Sequence, residues 1–503
     1  MLYGVASFQS HTPMAQQTVV PLWIDGQRKL ASDQGTFEVR SPLTGEITAK
    51  SASATSQDCK EAVEAAANAF KTWEFYPVAK KRAILYKAAE LIQSDKYKEK
   101  MRQALKDETA SVSIWADINI IGSVNNLLEA ASLASQIKGE TFQSNTPGAH
   151  CIVQRRAHGV ILAIAPWNAP ATLSLRAICI PLICGNTVVL KSSEYSPISQ
   201  EIVVEIMHEA GIPPGVLNYI SMSRDNSPKL TSELIGHPAV RHINFTGSDR
   251  VGRIIAGEAA KYLKPCVFEL GGKAAAVVLD DADIDTAARC IAQGAMLHSG
   301  QICMSTERVI VMRPVAEAFK SKLSAIVSKL KAGDPFSDPS FRLSALFSEG
   351  SAENVVNMIK EAKDAGAQVL LGDLSRQGAL VQPHLVVGVK PGMRLWDRES
   401  FGPVVAITVV DTVDEAVELA NETDYTLTAA IWTRNVNRAL DVAARVRSGC
   451  TSINGGTMHS EPGLGHAGLG GATGYGRFDI DNFTIKRMIV IHPETPARFP
   501  LVD

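Results

Sequence analysis

From residue 159 onward the chain alternates short apolar runs with helical patterns, and this alternation restricts the fold more than any other feature. Val160–Ile164 is apolar throughout and is followed by the loop Pro166-Trp167-Asn168-Ala169-Pro170 and a helical pattern. Residues 187–190, 216–220 and 243–245 repeat the strand signal, with helical patterns over 199–210 and up to 235 between them. Strands without polar alternation are buried on both faces, and a helix between consecutive strands makes those strands parallel. A second α/β stretch runs from about 267 to 454, with strand signals at 274–279, 309–312, 369–371, 404–410 and near Ile431, and helices over 284–298 and 315–330. The fold class is therefore α/β, built on parallel sheets with helices on both faces.

Upstream, residues 1–20 read as a loose tail. Residues 22–48 read as short strands broken by turns at Asp25-Gly26 and from Pro42 to Gly45. Apolar residues then recur at three and four from Gln57 to about Glu108, as in Ala62, Ala65, Ala66 and Phe70, and again in Ile84, Leu85, Ala88, Leu91 and Ile92. The basic run Lys80-Lys81-Arg82, with Lys96, Lys98 and Lys100, lies among Glu90, Asp95 and Glu99 and reads as a solvated helix face. Residues 455–476 are glycine-rich and read as loop.

With 503 residues the chain is too long for one compact core, so two or three units are expected. A formal net charge of −2 gives no reason to expect nucleic acid or an acidic membrane surface as partner. Pro181 and Gly185-Asn186 break the longest apolar stretch, so no spanning helix is expected. The first twenty residues hold no Lys or Arg, which argues against a secretory or mitochondrial leader and for the cytoplasm. The eight cysteines form no CxxC pair and no zinc-type spacing, which suits a reducing compartment and no metal site.

Two familiar patterns are decoys. Gly463 to Gly468 spells GxGxxG, but no strand precedes it and no helix opens from it. Gly271-Gly272-Lys273 lacks the other residues of a phosphate loop. Phe245-Thr246-Gly247-Ser248 and Gly252 instead follow a strand and open a helix, which suits either an anion site at the helix N-terminus or an ordinary turn. The strand from Thr187 delivers Lys191 and Glu194 to a carboxyl edge, where α/β proteins bind ligands. Taken singly, Cys303 is a core thiol and Glu269 a surface acid. Their company and order change that.

Pro166-Trp167-Asn168, Lys191-Ser-Ser-Glu194, Phe245-Thr-Gly-Ser248, Glu269-Leu-Gly-Gly-Lys273, Gly300-Gln-Ile-Cys303 and Glu399-Ser-Phe-Gly-Pro403 together resemble the signature series of the aldehyde dehydrogenase superfamily. The resemblance covers about 22–490 and is strongest to the salicylaldehyde and vanillin (aromatic aldehyde) branch, through Arg176-Ala177, Cys303-Met-Ser-Thr-Glu-Arg308 and Gly474-Tyr-Gly-Arg-Phe478. It implies a Rossmann-type NAD-binding domain (1–138 and 157–267), an α/β catalytic domain (268–459), a small β oligomerisation arm (139–156 and 480–503) and a loop (460–479). It implies a homodimer or homotetramer and an aldehyde substrate. Cys303 would be the nucleophile, Asn168 and the Cys303 N–H the oxyanion donors, and Glu269 the base that hydrolyses a thioester. Lys191 and Glu194 would meet the adenosine ribose of NAD, Gly247, Ser248 and Gly252 the pyrophosphate turn, and Glu399 and Phe401 the nicotinamide end, with Trp167 beside the cofactor crevice. Glu194 would repel a 2′-phosphate.

The chain departs from the family pattern at His298, where Asn is usual, at Ser192, at 471–473 and at His466 to Leu469. The acyl pocket is expected among Ala171, Thr172, Leu173, Leu175, Ile302 and Met304, with Trp115 as an aromatic wall and Arg176 either inward or salt-bridged. Two other readings stand beside this one. They are a CoA-acylating semialdehyde dehydrogenase, which would not need Glu269, and a catalytically silent relative kept as a binding protein.

Overall fold

The computed structural model describes residues 19–459, 461, 465, 467–494 and 501–502. Five strands alternate with helices through 160–269, and they lie side by side as a parallel sheet. Across that sheet the order is Cys266–Glu269, Val240–Thr246, Val160–Ile164, Thr187–Lys191 and Leu217–Ile220. Their alternate side chains go to two different cores, as a pleat of period two requires. Ile161, Ala163, Val188 and Leu190 pack with Ile178, Leu182 and Ile202, whereas Leu162, Ile164 and Val189 pack with Val63, Leu234 and Ile255. Two strands from the start of the chain complete the sheet. Leu22–Ile24 joins Leu217–Ile220 antiparallel, with Trp23 opposite Tyr219, and Gln27–Lys29 folds back beside it. The 22–48 stretch is thus shared, because Ile47–Ala52 pairs with Val19–Val20 on one side and Thr36–Arg40 on the other in a separate small sheet.

The second large sheet runs Gln368–Leu371, His384–Val387, Val404–Val410, Thr306–Met312, Ala274–Val278, Thr428–Trp432 and Cys450–Ile453. All its pairings are parallel except the first. Only residues 270–273 separate the last strand of the first sheet from Ala274–Val278, an inner strand of the second. The carboxyl edge of one sheet therefore faces the amino edge of the other across a short link.

A third sheet stands apart. Thr484–Ile491 pairs antiparallel with His150–Ala157 over eight residue pairs, and Glu140–Gln143 flanks it. Phe142, Ile485, Met488 and Ile491 are exposed on it. Its base is tied to the first sheet by Asn186, whose Nδ2 donates to the Phe483 carbonyl (2.9 Å). No helix among the described residues is long and apolar enough to cross a membrane.

Candidate active site

The expected site residues of the first sheet stand at or just beyond the ends of its parallel strands, except Gly252, which lies in the first turns of the helix Asp249–Lys261. Asn168 follows Val160–Ile164, Lys191 ends Thr187–Lys191, Gly247 and Ser248 follow Val240–Thr246, and Glu269 ends Cys266–Glu269. Cys303 precedes Thr306–Met312, and Glu399 and Phe401 precede Val404–Val410, at the amino edge of the second sheet. The facing edges bring the two groups together.

Glycines allow the approach. A Cβ on Gly272 would lie 2.0 Å from the Cys303 carbonyl oxygen, and one on Gly271 would lie 2.6 Å from Glu399 Oε2. Neither neighbour can give way, because Cys303 O is backbone and Glu399 Oε1 accepts the Gly272 N–H at 2.9 Å. The expected helix over 284–298 stops at Met296, because His298, Ser299 and Gly300 all turn left-handed, with φ of 51, 55 and 76°. Chirality opposes that conformation in all but glycine. Here Ser299 Oγ donates to the Ser344 carbonyl (2.7 Å), and Gln301 N and Nε2 both donate to the His298 carbonyl (3.1 Å each). The turn that presents Cys303 is thus pinned from both sides.

Asn168 is fixed at both ends. Its Nδ2 donates to the Gln301 carbonyl (3.1 Å), two residues before Cys303, and its own carbonyl accepts the Trp115 indole N–H (2.8 Å). Cys303 is half-buried, and burial pushes its thiol up to about 12, opposed by the Arg176 charge. Glu269 is buried, its Oε1 has no partner among the described residues, and burial raises its carboxyl to about 7 against the pull of Arg176 and Arg477. Arg176 resolves as salt-bridged rather than free. Its Nη1 lies 3.9 Å from Glu269 Oε2, its Nη2 donates to Thr246 Oγ1 (3.0 Å), and its guanidinium covers the Phe478 ring.

The expected acyl wall forms in part. Trp115, Leu173, Ile302 and Met304 cluster with Val112, Ala169, Leu297 and Met458. Ala171 and Leu175 do not join them. Along the Pro170–Ile183 helix, residues 171, 175 and 178 share the face buried in the first sheet's core, whereas 173 and 176 turn toward the site. Thr172 is spent on the neighbouring helix, donating to the Asn119 carbonyl (2.8 Å).

On the cofactor side, Lys191 is buried, and among the described residues its ammonium hydrogen-bonds only the Ser192 carbonyl (2.9 Å), with the Glu194 charge nearby. Glu399 is pushed up to about 8 by burial and by Glu307. Trp167 stacks on Phe347 (4.3 Å between centroids) and meets Phe401 edge-on. Ser248 caps the Asp249–Lys261 helix. The amide of Gly247 is spent on the Glu269 carbonyl (3.1 Å), and the Cβ direction of Gly252 is filled by Leu270. Both glycines therefore shape the turn by allowing close packing. The motif at Gly463 includes residues outside those described, and of the His466 to Leu469 departure His466 lies outside them.

One functional residue escaped the sequence reading. Glu307 is buried, takes an ion pair from Lys273 (2.5 Å), and accepts from Ser400 N, Ser400 Oγ and Phe401 N. It thereby holds the segment that carries Glu399 and Phe401. Its signal was its place in Cys303-Met-Ser-Thr-Glu-Arg308, but a lone Glu beside an Arg suggests a surface.

Known proteins resemble this chain over most of its length. The sequence model of the Aldehyde dehydrogenase family matches residues 29–490. A vanillin dehydrogenase from a Pseudomonas species is 43% identical over 96% of this chain and 99% of its own. A benzaldehyde dehydrogenase [NAD(+)] of Pseudomonas putida is 35% identical over 93% of this chain and 95% of its own. The crystal structure of a salicylaldehyde dehydrogenase from Pseudomonas putida, complexed with salicylaldehyde, superposes with a TM-score of 0.91 at 39% identity, covering 96% of this chain and 99% of that one. Matches of this length and identity, over a fold whose two sheets meet at a cysteine, leave one assignment: the chain belongs to the aldehyde dehydrogenase family and is an aldehyde-oxidising enzyme.

Proposed function

We propose that the enzyme oxidises an aromatic or medium-sized apolar aldehyde to its carboxylic acid, with NAD as oxidant and a thiohemiacetal and then a thioester on Cys303. The observation that carries this reading is Glu269: a buried carboxyl with an oxygen unpartnered among the described residues, raised to about 7 and electrostatically coupled to Cys303. A base poised near neutral pH suits proton removal from water. A CoA-acylating enzyme would have no use for it.

The polar groups of the crevice suit a dinucleotide. A buried ammonium with donors to spare at Lys191, beside Glu194, matches ribose hydroxyls, and Glu399 offers a carboxyl group at the far end. Lys191 and Glu194 would hold the adenosine ribose, the 247–252 turn the pyrophosphate, and Glu399, Phe401 and Trp167 the nicotinamide end. Bound there, NAD supplies the hydride acceptor that the oxidation requires. Glu194 favours NAD over NADP, since a 2′-phosphate would meet its negative charge.

The rest is the work of this chain. Cys303 Sγ gives up its proton to Glu269, the base electrostatically coupled to it, and bonds the aldehyde carbon, whose displaced electron pair goes to oxygen. The Asn168 amide, fixed by Gln301 and Trp115, donates to that oxyanion; one such donor is worth a factor of about 10²–10³ in rate. Glu269 takes a proton from the water that attacks the Cys303 thioester, and the thiolate leaves. The apolar wall around Trp115 disfavours a second carboxylate, whose desolvation would be costly.

The domain limits and arm given above belong to the same reading, as does a cytoplasmic homodimer or homotetramer joined through the exposed apolar residues of the arm. Light scattering tests the assembly. The deciding assay follows NADH with benzaldehyde and with succinic semialdehyde, with and without CoA. Turnover of benzaldehyde without CoA, at higher efficiency than succinic semialdehyde, is expected. A CoA requirement would transfer the chain to the acylating class, and silence with every aldehyde would favour a binding role.

A further inference from the structure

The acyl wall contains one group that does not belong to an apolar surface. His298 is 5% exposed, and its ring lies almost parallel to Trp115, with centroids 5.1 Å apart and planes at 16°. Trp167 approaches it at 6.4 Å. Its chain neighbour Leu297, together with Trp115, Ala169 and Ile302, forms the apolar cluster beside the nucleophile. The imidazole Nε2 is buried and has no hydrogen-bond partner among the described residues.

Native structures rarely leave such an atom unpaired, and those that do invite a functional explanation. The ring cannot readily swing out to find water. Its backbone is held left-handed, its carbonyl accepts twice from Gln301, and the adjacent Ser299 is bonded to Ser344. The imidazole is also neutral, because burial pushes it down to about 3. It therefore offers a hydrogen bond rather than a charge, and either tautomer supplies one.

We propose that His298 is a specificity-determining residue, whose Nε2 hydrogen-bonds a phenolic hydroxyl on the ring of an aromatic aldehyde held covalently at Cys303. The inference rests on the aromatic-aldehyde reading above and narrows it to hydroxylated rings. The flat indole of Trp115 and the side chains of Leu173, Ile302 and Met304 suit the ring itself. A neutral imidazole suits a hydroxyl and gives no compensation for a carboxylate. His298 stands five residues before Cys303 on the same pinned turn, so the hydroxyl's partner and the nucleophile keep a fixed separation.

The test compares kcat/KM for benzaldehyde, the 2-, 3- and 4-hydroxybenzaldehydes and the corresponding methoxybenzaldehydes, using full-length enzyme and the variant His298→Phe. Phenylalanine keeps a ring against Trp115 and deletes the nitrogen. In the wild type, at least one hydroxy isomer should exceed both benzaldehyde and its own methyl ether by about fivefold or more. In His298→Phe the ratio of that isomer to benzaldehyde should fall to near one. A purely structural role would lower all the aldehydes together, and that outcome, or survival of the ratio in the variant, overturns the proposal. Where the variant does not fold, the wild-type comparison of hydroxyl with ether decides, and equal efficiencies overturn it. Turnover of benzaldehyde with no hydroxyl preference sinks this inference alone. Failure with every aromatic aldehyde sinks the reading beneath it.

Discussion

Removing the charge of Arg176 should move the acid limb of the activity profile upward. The guanidinium lies 3.9 Å from Glu269 Oε2, and both side chains are mostly shielded from water. At that distance, and at the effective dielectric constant of about 20 that suits protein sites, the attraction is about 4 kcal/mol. Each pKa unit corresponds to about 1.36 kcal/mol, so about three units is the ceiling. Water entering the vacated space and the remaining charge of Arg477 reduce this, and a rise of about one to two units is expected in Arg176→Met. The sign follows from the role. Glu269 works ionised, its carboxyl is near 7 in the intact protein, and losing a neighbouring cation makes ionisation harder. Steady-state NADH production should be recorded from pH 6 to 10 at constant ionic strength, with aldehyde saturating. Arg176→Met should be several-fold slower at pH 7.5 and recover toward pH 9, whereas Arg176→Lys should keep most of the original profile. The recovery matters, because the lost contacts to Thr246 and Phe478 would by themselves lower activity at every pH. An acid limb that stays in place, or a uniform loss, would refute the assignment of Glu269 as the titrating base.

Other expectations follow from the same geometry. Cys303→Ala should abolish aldehyde oxidation while NAD still binds by fluorescence titration, and Glu269→Gln should give a burst of NADH followed by little turnover. Glu194→Ser should narrow the preference for NAD over NADP, measured as a ratio of kcat/KM; an unchanged ratio would mean that Glu194 does not face the 2′ position. Glu307→Gln leaves Lys273 buried without its counter-charge, which should cost about 3–5 kcal/mol in urea unfolding and raise KM for the cofactor, because one of the two oxygens that accept from the Ser400 and Phe401 donors becomes an amide donor. Between pH 5 and 8 the apoenzyme should lose stability through Glu108. Burial lifts its carboxyl to about 8, so the native state binds a proton that the unfolded chain has released above about 4.5. In Glu108→Gln the fall of Tm over that interval should be shallower.

The strands that carry the site were legible because each is short and apolar on both faces, a pattern that 160–164 and 187–190 show without ambiguity. The ordered motifs likewise singled out Cys303, Glu269 and Asn168, which lie at the facing strand edges of the two sheets. Partnerships over long distances were not legible. Nothing within Leu22–Ile24 names Leu217–Ile220 as its neighbour, because an antiparallel pairing depends on the sheet already being there. Glu307 failed for a related reason: a charge reads as exposed until Lys273 and three donors from 400–401 surround it. Ala171 and Leu175 were placed in the pocket by adjacency along the chain, where the turn of the helix decides.

The arm has a consequence for the order in which the protein assembles. Strand Thr484–Ile491 pairs with a segment made more than three hundred residues earlier, with Ile491 opposite His150 and Thr484 opposite Ala157. A chain emerging from the ribosome holds His150–Ala157 with one side unpaired for the whole synthesis of the second sheet. At roughly 5–20 residues per second that interval lasts on the order of a minute or less, but it leaves a β-edge open to other nascent chains. The Asn186 clamp on Phe483 closes only at the same late moment. Completion of the strand Thr484–Ile491 is thus the step that seals the edge, and chaperone demand during synthesis should drop sharply once it is passed.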